Sequence, residues 1–106
     1  MVGRVRQVAW AASASASLDE VVAYIHKTSP QNAQLVLSDT LAAAESLSRL
    51  AERGRLVPEQ SHPPTRELFV RGFRLMYQLT ETQVIIVAFV RGRRSFASAE
   101  GAGDAG

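Results

Sequence analysis

Between Arg66 and Phe96 the chain alternates apolar and polar positions in three successive runs. Leu68 and Val70 alternate with Glu67 and Phe69. Phe73, Leu75, Tyr77 and Leu79 then alternate with Arg74, Met76 and Gln78. Val84 to Val90 is almost continuously apolar, which predicts a central strand buried on both faces. Arg71-Gly72 supplies a tight connection between the first two runs, and Thr80-Glu81-Thr82-Gln83 a second. The pattern predicts a three-stranded antiparallel meander.

The N-terminal part has a different period. Arg4 to Trp10 reads as one more strand. Leu18, Val21, Val22 and Ile25 fall at i, i+3, i+4 and i+7, the spacing of one helix face, and predict a helix reaching about Thr28. Two starts are compatible with it: Ser17, which with Glu20 makes a capping box, or an entry near Ser13 that extends the face through Ala14. Ser29-Pro30 breaks and restarts the chain, because Ser caps a helix and Pro at the first helical position sacrifices no hydrogen bond. The second helix is expected to run to about Arg53. Its buried stripe would be Ala33, Leu37, Leu41, Ala44, Leu47 and Ala51, with Gly54 as the residue that stops it. Arg55 to Thr65 holds three prolines and no periodicity, so it predicts a loop that packs on the sheet through Leu56 and Val57. The architecture expected is α+β in two layers: an N-terminal strand, an antiparallel helix hairpin and the meander, with the helices packed on one face of an antiparallel sheet. Residues 1–96 form a single domain in this reading. Residues 97–106, ASAEGAGDAG, are too small and polar to offset backbone ordering and predict a flexible tail.

Composition narrows the function. The chain has no cysteine, hence no disulfide and no thiolate metal site. No apolar run approaches the roughly 20 residues that span a bilayer, and the N-terminus reads as a strand, not a signal peptide, so a cytoplasmic protein is expected. The formal net charge is only +2, but it is unevenly spread. Six of the eleven arginines lie between Arg66 and Arg94, against two acids, Glu67 and Glu81. Guanidinium is planar, always charged and bidentate, so such a sheet suits a polyanion or an acidic protein segment.

The order of these pieces, with their residues, resembles the RelE/ParE superfamily of bacterial toxins. The resemblance covers about Val5 to Phe96. It is carried by Val8-Ala9-Trp10, by Ala14 and Leu18 with Val21-Val22-Ala23-Tyr24-Ile25, and by Ser29-Pro30 with Ala33. It continues in Gly54-Arg55-Leu56-Val57-Pro58-Glu59, Arg66-Glu67-Leu68-Phe69-Val70, Phe73-Arg74-Leu75-Met76-Tyr77 and Arg91-Gly92-Arg93-Arg94. It implies the toxin of a type II toxin–antitoxin system, with growth arrest and plasmid stabilisation as its consequences. The partner it implies is a cognate antitoxin that wraps the toxin in a hetero-oligomer. Leu18, Val22, Ile25, Leu37 and Leu41, on the apolar helix hairpin, are the expected antitoxin contacts.

The superfamily holds two activities: RelE-like members cut mRNA at the ribosome, and ParE-like members inhibit DNA gyrase. A nuclease needs a base, an acid and cations around the phosphate. Here Arg74, matching the strand arginine that contacts phosphate in RelE-like nucleases, and Arg93 would supply charge. Glu59 and His62 are the one plausible acid–base pair. The only lysine is Lys27, Arg91 stands where many relatives carry a histidine, and Phe96 stands where nuclease members often have a tyrosine. The long helix hairpin is closer to ParE-like members. The reading is therefore a gyrase inhibitor whose target surface is Arg66, Arg74, Arg91, Arg93 and Arg94, with no cofactor, no metal and no membrane. The alternatives are a metal-independent, ribosome-dependent mRNA endonuclease and a non-toxic relative that serves only as the antitoxin's partner. Blander roles stand beside these: Arg74 pairing with Glu67 across the hairpin, Tyr77 in the core, Trp10 under the helices, His26 in solvent and His62 in a surface loop.

Overall fold

The structure is a computed structural model and describes residues 4–58 and 63–92. Its strands and helices follow in the order β1 (Gln7–Trp10), α1 (Ala12–His26), α2 (Pro30–Ser46), β2 (Arg55–Leu56), β3 (Arg66–Val70), β4 (Phe73–Leu79) and β5 (Gln83–Arg91). They build one five-stranded sheet in the order β1-β5-β4-β3-β2. β3, β4 and β5 form the expected antiparallel meander. The β3–β4 turn places both Arg71 (φ 49°) and Gly72 (φ 86°) in the left-handed region, as a two-residue hairpin of matching twist requires. β1 joins the outer edge of β5 in parallel, Val8 opposite Val84 and Trp10 opposite Ile86, so the sheet is mixed and not antiparallel throughout as expected. The two hairpins fix the direction of β5, and the helix pair carries the chain back across the sheet between β1 and the meander.

Pairing in β4–β5 slips once, from Met76 opposite Ala88 to Tyr77 opposite Ile86, leaving Val87 as an extra residue. This bulge puts Val84, Ile86 and Phe89 on the helix side, all buried, although a strict alternation cannot include both Ile86 and Phe89. The remainder of the run is not buried on both faces as expected: Ile85 and Ala88 are half-buried and Val90 is exposed.

The core lies between the helices and this one face of the sheet. Leu18, Val36 and Leu47 meet Phe73, Leu75, Tyr77, Val84, Ile86 and Phe89 there. The Phe73 and Phe89 rings stack with centroids 5.0 Å apart. Trp10 is half-buried against the same cluster. Each such side chain contributes roughly 1.5–3 kcal/mol by leaving water.

The helices depart from expectation at two points, the length of α2 and part of its buried stripe. α1 starts at Ala12, next to the expected entry near Ser13, and buries Ala14, although neither serine caps it: Ala11 is the extended N-cap and makes no side-chain cap bond. Its N–H donates to the Ile86 carbonyl (2.9 Å), so the end of the β1–β5 pairing sets the start of the helix. At α2, the Ser29 hydroxyl accepts from the Asn32 N–H (3.1 Å) and Pro30 takes the first position, as predicted. The helix ends at Ser46, well short of Arg53. Beyond it local turn bonds continue, from the Leu50 N–H to Ser46 O and the Arg53 N–H to Leu50 O, and three carbonyls find tertiary partners. Ser48 accepts from the Arg6 N–H (2.8 Å), Ala51 from the Tyr77 hydroxyl (2.7 Å), and Glu52 from the Arg66 guanidinium (3.1 Å). The buried stripe is Ala33, Val36, Thr40, Ala44, Leu47 and Ala51. Ala33, Ala44, Leu47 and Ala51 are buried as predicted, while Val36 and Thr40 take the places of Leu37, which is half-buried, and Leu41, which is 47% exposed.

Gly54 is not a helix stop. A Cβ there would stand 2.6 Å from the Tyr77 hydroxyl oxygen and 2.9 Å from the Glu67 carbonyl, so a side chain has no room. The following segment is not wholly loop either. Arg55-Leu56 pairs with Glu67 and Arg66 as the edge strand β2, and the Val57 N–H donates to Thr65 O (2.8 Å). Leu56 is exposed and does not pack on the sheet.

Candidate functional site

On β4, Phe73, Leu75 and Tyr77 point to the helices, so Arg74 points to the opposite face. Glu67, on the neighbouring strand, shares that face. Its carboxylate is 1% exposed and is held from both sides: Oε1 lies 2.7 Å from Arg74 Nη2, and Oε2 lies 2.8 Å from Arg55 Nε. The pairing of Arg74 with Glu67 anticipated from the sequence is present, with Arg55 as a second partner. The stem of Arg74 also lies directly over Gly92, where any Cβ would collide with its methylenes. Packing and two hydrogen bonds to one carboxylate oxygen therefore fix this guanidinium.

The other meander arginines are engaged differently. Arg71 pairs with Asp39 of α2 at 2.6 Å. Arg91 lies over the Phe73 ring, 4.9 Å from its centroid, and is exposed to solvent. Arg66 donates to the carbonyls of Glu52 and Gly54 (2.7 Å for the latter), and so holds the turns after α2 against β3. It pairs with Tyr77, three residues along β4 from Arg74, or about 10 Å away. The structure thus brings Arg74 and Arg91 to one end of the β4–β5 pair but on opposite faces, Arg91 lying over Phe73 on the helix side, and it uses Arg66 elsewhere. Glu59, His62, Arg93 and Arg94, and the whole 97–106 segment, lie outside the described residues.

Tyr77 is in the core, as expected, and its hydroxyl is a structural joint. It donates to Ala51 O (2.7 Å) and accepts from the Gly54 N–H (2.9 Å). Burial raises its pKa above the ordinary tyrosine value, opposed by the Gly54 hydrogen bond and by the charges of Arg66 and Arg53. His26 and Lys27 are exposed at the end of α1, across the sheet from Arg74.

The five hairpin positions separate into three groups. Leu18 is 4% exposed and belongs to the core, so it presents no surface to a partner. Ile25 packs half-buried on that core. Val22 and Leu37 line a cleft of about 420 Å³ between the helices, together with Asp19, Ala23 and His26, and Leu41 stands exposed on α2. Sequence reasoning took Leu18 for a contact because a periodic apolar stripe does not say which of its members the sheet covers.

A second group of arginines was not legible in the sequence. Arg4, Arg6, Arg49 and Arg53 line a cleft, also of about 420 Å³, where the chain entering β1 meets the turns after α2. Arg6 Nε donates to Thr80 O (2.8 Å), Arg4 Nη1 to Glu81 O (3.3 Å) and Arg53 Nη1 to the Ser46 hydroxyl (2.8 Å). The only sequence signal was two Arg-x-Arg and Arg-x₃-Arg spacings more than 40 residues apart, which only the fold unites.

No described helix is long and apolar enough to cross a membrane. None of the curated proteins matches the chain. A solved structure described as "Chromosomal ParDE TA system from P. aeruginosa" has the same fold, with a TM-score of 0.71 at 20% sequence identity, covering 84% of this chain and 98% of that one. The family model described as "ParE toxin of type II toxin-antitoxin system, parDE" matches residues 8–96, nearly the whole of the strand, hairpin and meander. The chain belongs to the ParE toxin family, within the RelE/ParE superfamily its sequence pattern resembles.

Proposed function

We propose that this toxin arrests growth by binding and inhibiting DNA gyrase, and that a cognate antitoxin in a cytoplasmic hetero-oligomer holds it inactive. The observation that carries this reading is the state of Arg74. A nuclease would need that guanidinium for substrate phosphate, whereas here it is bound to the buried Glu67 carboxylate and packed against Gly92. His26 and Lys27 are exposed on the helix layer, across the sheet from the face that holds Arg74 and Glu67. A fixed positive surface suits holding a protein or a DNA-bound enzyme. Arg91, exposed at the end of β5, is the described member of that surface; Arg93 and Arg94 follow it in sequence.

The antitoxin contact is assigned to the cleft holding Val22 and Leu37 and to the exposed Leu41. An amphipathic helix laid there would cover apolar surface that the core leaves in water.

The test is supercoiling of relaxed plasmid by gyrase in the presence of purified toxin. Inhibition with accumulation of cleaved DNA is expected, as is its relief by antitoxin. Replacing Arg91, Arg93 and Arg94 together by Ala should abolish inhibition and leave the circular-dichroism spectrum unchanged, since an exposed charge such as Arg91 contributes less than about 1 kcal/mol to folding. Full supercoiling at large molar excess of toxin refutes the gyrase reading. If growth arrest then comes with mRNA cut at ribosome-bound codons, the nuclease alternative with Arg74, Arg93, Glu59 and His62 takes its place.

A further inference from the structure

We propose that the cleft lined by Arg4, Arg6, Arg49 and Arg53 is a binding site for the phosphate backbone of duplex DNA. The argument begins with where the fold spends its acids. Arg55 and Arg74 are neutralised by Glu67, and Arg71 by Asp39. No ion pair among the described residues involves Arg4, Arg6, Arg49 or Arg53. The hydrogen bonds that three of them make go to neutral acceptors: two backbone carbonyls and one serine hydroxyl. Such bonds orient a guanidinium without cancelling its charge. They also use one donor of five, so Arg6, bound through Nε, keeps its whole terminal fork for a ligand.

Four cations therefore share one concave site with a single lining carboxylate, Glu52. Concavity between low-dielectric walls concentrates the field of such a cluster. The charged lining is four guanidinium groups against one carboxylate, with Leu50 and Ala51 beside them. Guanidinium is planar and binds phosphate bidentately, so four of them in one cleft suit a polymer of closely and evenly spaced, permanently charged groups, which is the phosphodiester backbone. The cleft adjoins the start of β5, where Gln7 pairs with Gln83. Arg91 is at the other end of that nine-residue strand, about 25 Å away. The DNA site is thus distinct from the surface assigned to gyrase, and either assignment can fail without the other.

The experiment is fluorescence anisotropy of a labelled 20-base-pair duplex of mixed sequence, titrated with purified toxin at 25–200 mM NaCl. Sequence-independent binding is expected, with log K falling against log salt at a slope of roughly −3 to −4 for four phosphates neutralised. Arg49→Glu with Arg53→Glu should weaken binding at least tenfold and reduce the slope by about 2. Arg71→Ala, which removes an ion-paired arginine outside the cleft, should change neither. Should the double glutamate chain lose its circular-dichroism spectrum, Arg49→Gln with Arg53→Gln is read the same way. Absence of binding at 25 mM salt, or affinity indifferent to residues 49 and 53, overturns the proposal. Polyglutamate competing as well as DNA at equal charge also overturns it, assigning the cleft to an acidic polypeptide.

Discussion

Replacing Tyr77 by Phe removes one oxygen from a buried joint of the fold. The side chain is fully buried, and its hydroxyl bridges the Ala51 carbonyl (2.7 Å) and the Gly54 N–H (2.9 Å). Those two groups belong to the turns that replace the last part of α2, and β4 holds the turns through this joint. Each hydrogen bond contributes about 0.5–1.5 kcal/mol net, and each buried backbone group left without a partner costs about 1–3 kcal/mol. A net loss of about 2–4 kcal/mol is expected, a large share of the roughly 5–15 kcal/mol available to a domain. At about 4–8 °C per kcal/mol for a domain near this size, the melting temperature should drop by on the order of 10–30 °C. The pH dependence adds an independent check. Burial raises the pKa of Tyr77 in the folded state, so the unfolded chain releases that proton more readily. The stability linked to it is complete below the unfolded value near 10 and is lost as pH rises through the higher folded value. The phenylalanine chain lacks this loss, so the gap between the two proteins should narrow above pH 10. Urea unfolding followed by far-UV circular dichroism between pH 7 and 11 measures both effects. A loss below about 1 kcal/mol, or a gap that stays constant or widens with pH, refutes the reasoning.

Two further substitutions test the other buried polar groups. Glu67→Gln keeps the shape but strands Arg55 and Arg74, whose side chains are 48% and 30% exposed. Solvent screens part of that charge, so about 1–3 kcal/mol is expected, less than for a fully buried pair, and an unchanged urea midpoint would contradict it. Thr40 is fully buried in α2, and its hydroxyl oxygen has no hydrogen-bond partner. Thr40→Val should therefore raise stability by about 1 kcal/mol in thermal unfolding, and a fall would show that the hydroxyl is satisfied.

Much of the element order was legible because it rests on local chemistry. Ser29-Pro30 can cap and start a helix wherever it occurs, and Arg71-Gly72 makes a hairpin because glycine accepts a positive φ at little cost. Alternation from Phe73 to Leu79 names the face that enters the core without reference to any other segment. The resemblance to RelE/ParE toxins rested on the same ordered pieces, and the family match bears it out. Tertiary structure decided everything that depended on which segments meet. Whether α2 continued past Ser46 turned on Arg6, Tyr77 and Arg66 offering donors to its later carbonyls. Gly54 read as a helix stop, because its sequence does not record that Tyr77 will lie against it. The bulge at Val87, invisible in an unbroken apolar run, chose which of its residues face the helices. The arginines show the division most plainly. Counting along the chain placed the positive charge between Arg66 and Arg94, but charge acts through distance in space. The fold sets Glu67 and Asp39 beside three arginines, Arg55, Arg71 and Arg74, and gathers Arg4, Arg6, Arg49 and Arg53, from opposite ends of the helix hairpin, into one cleft.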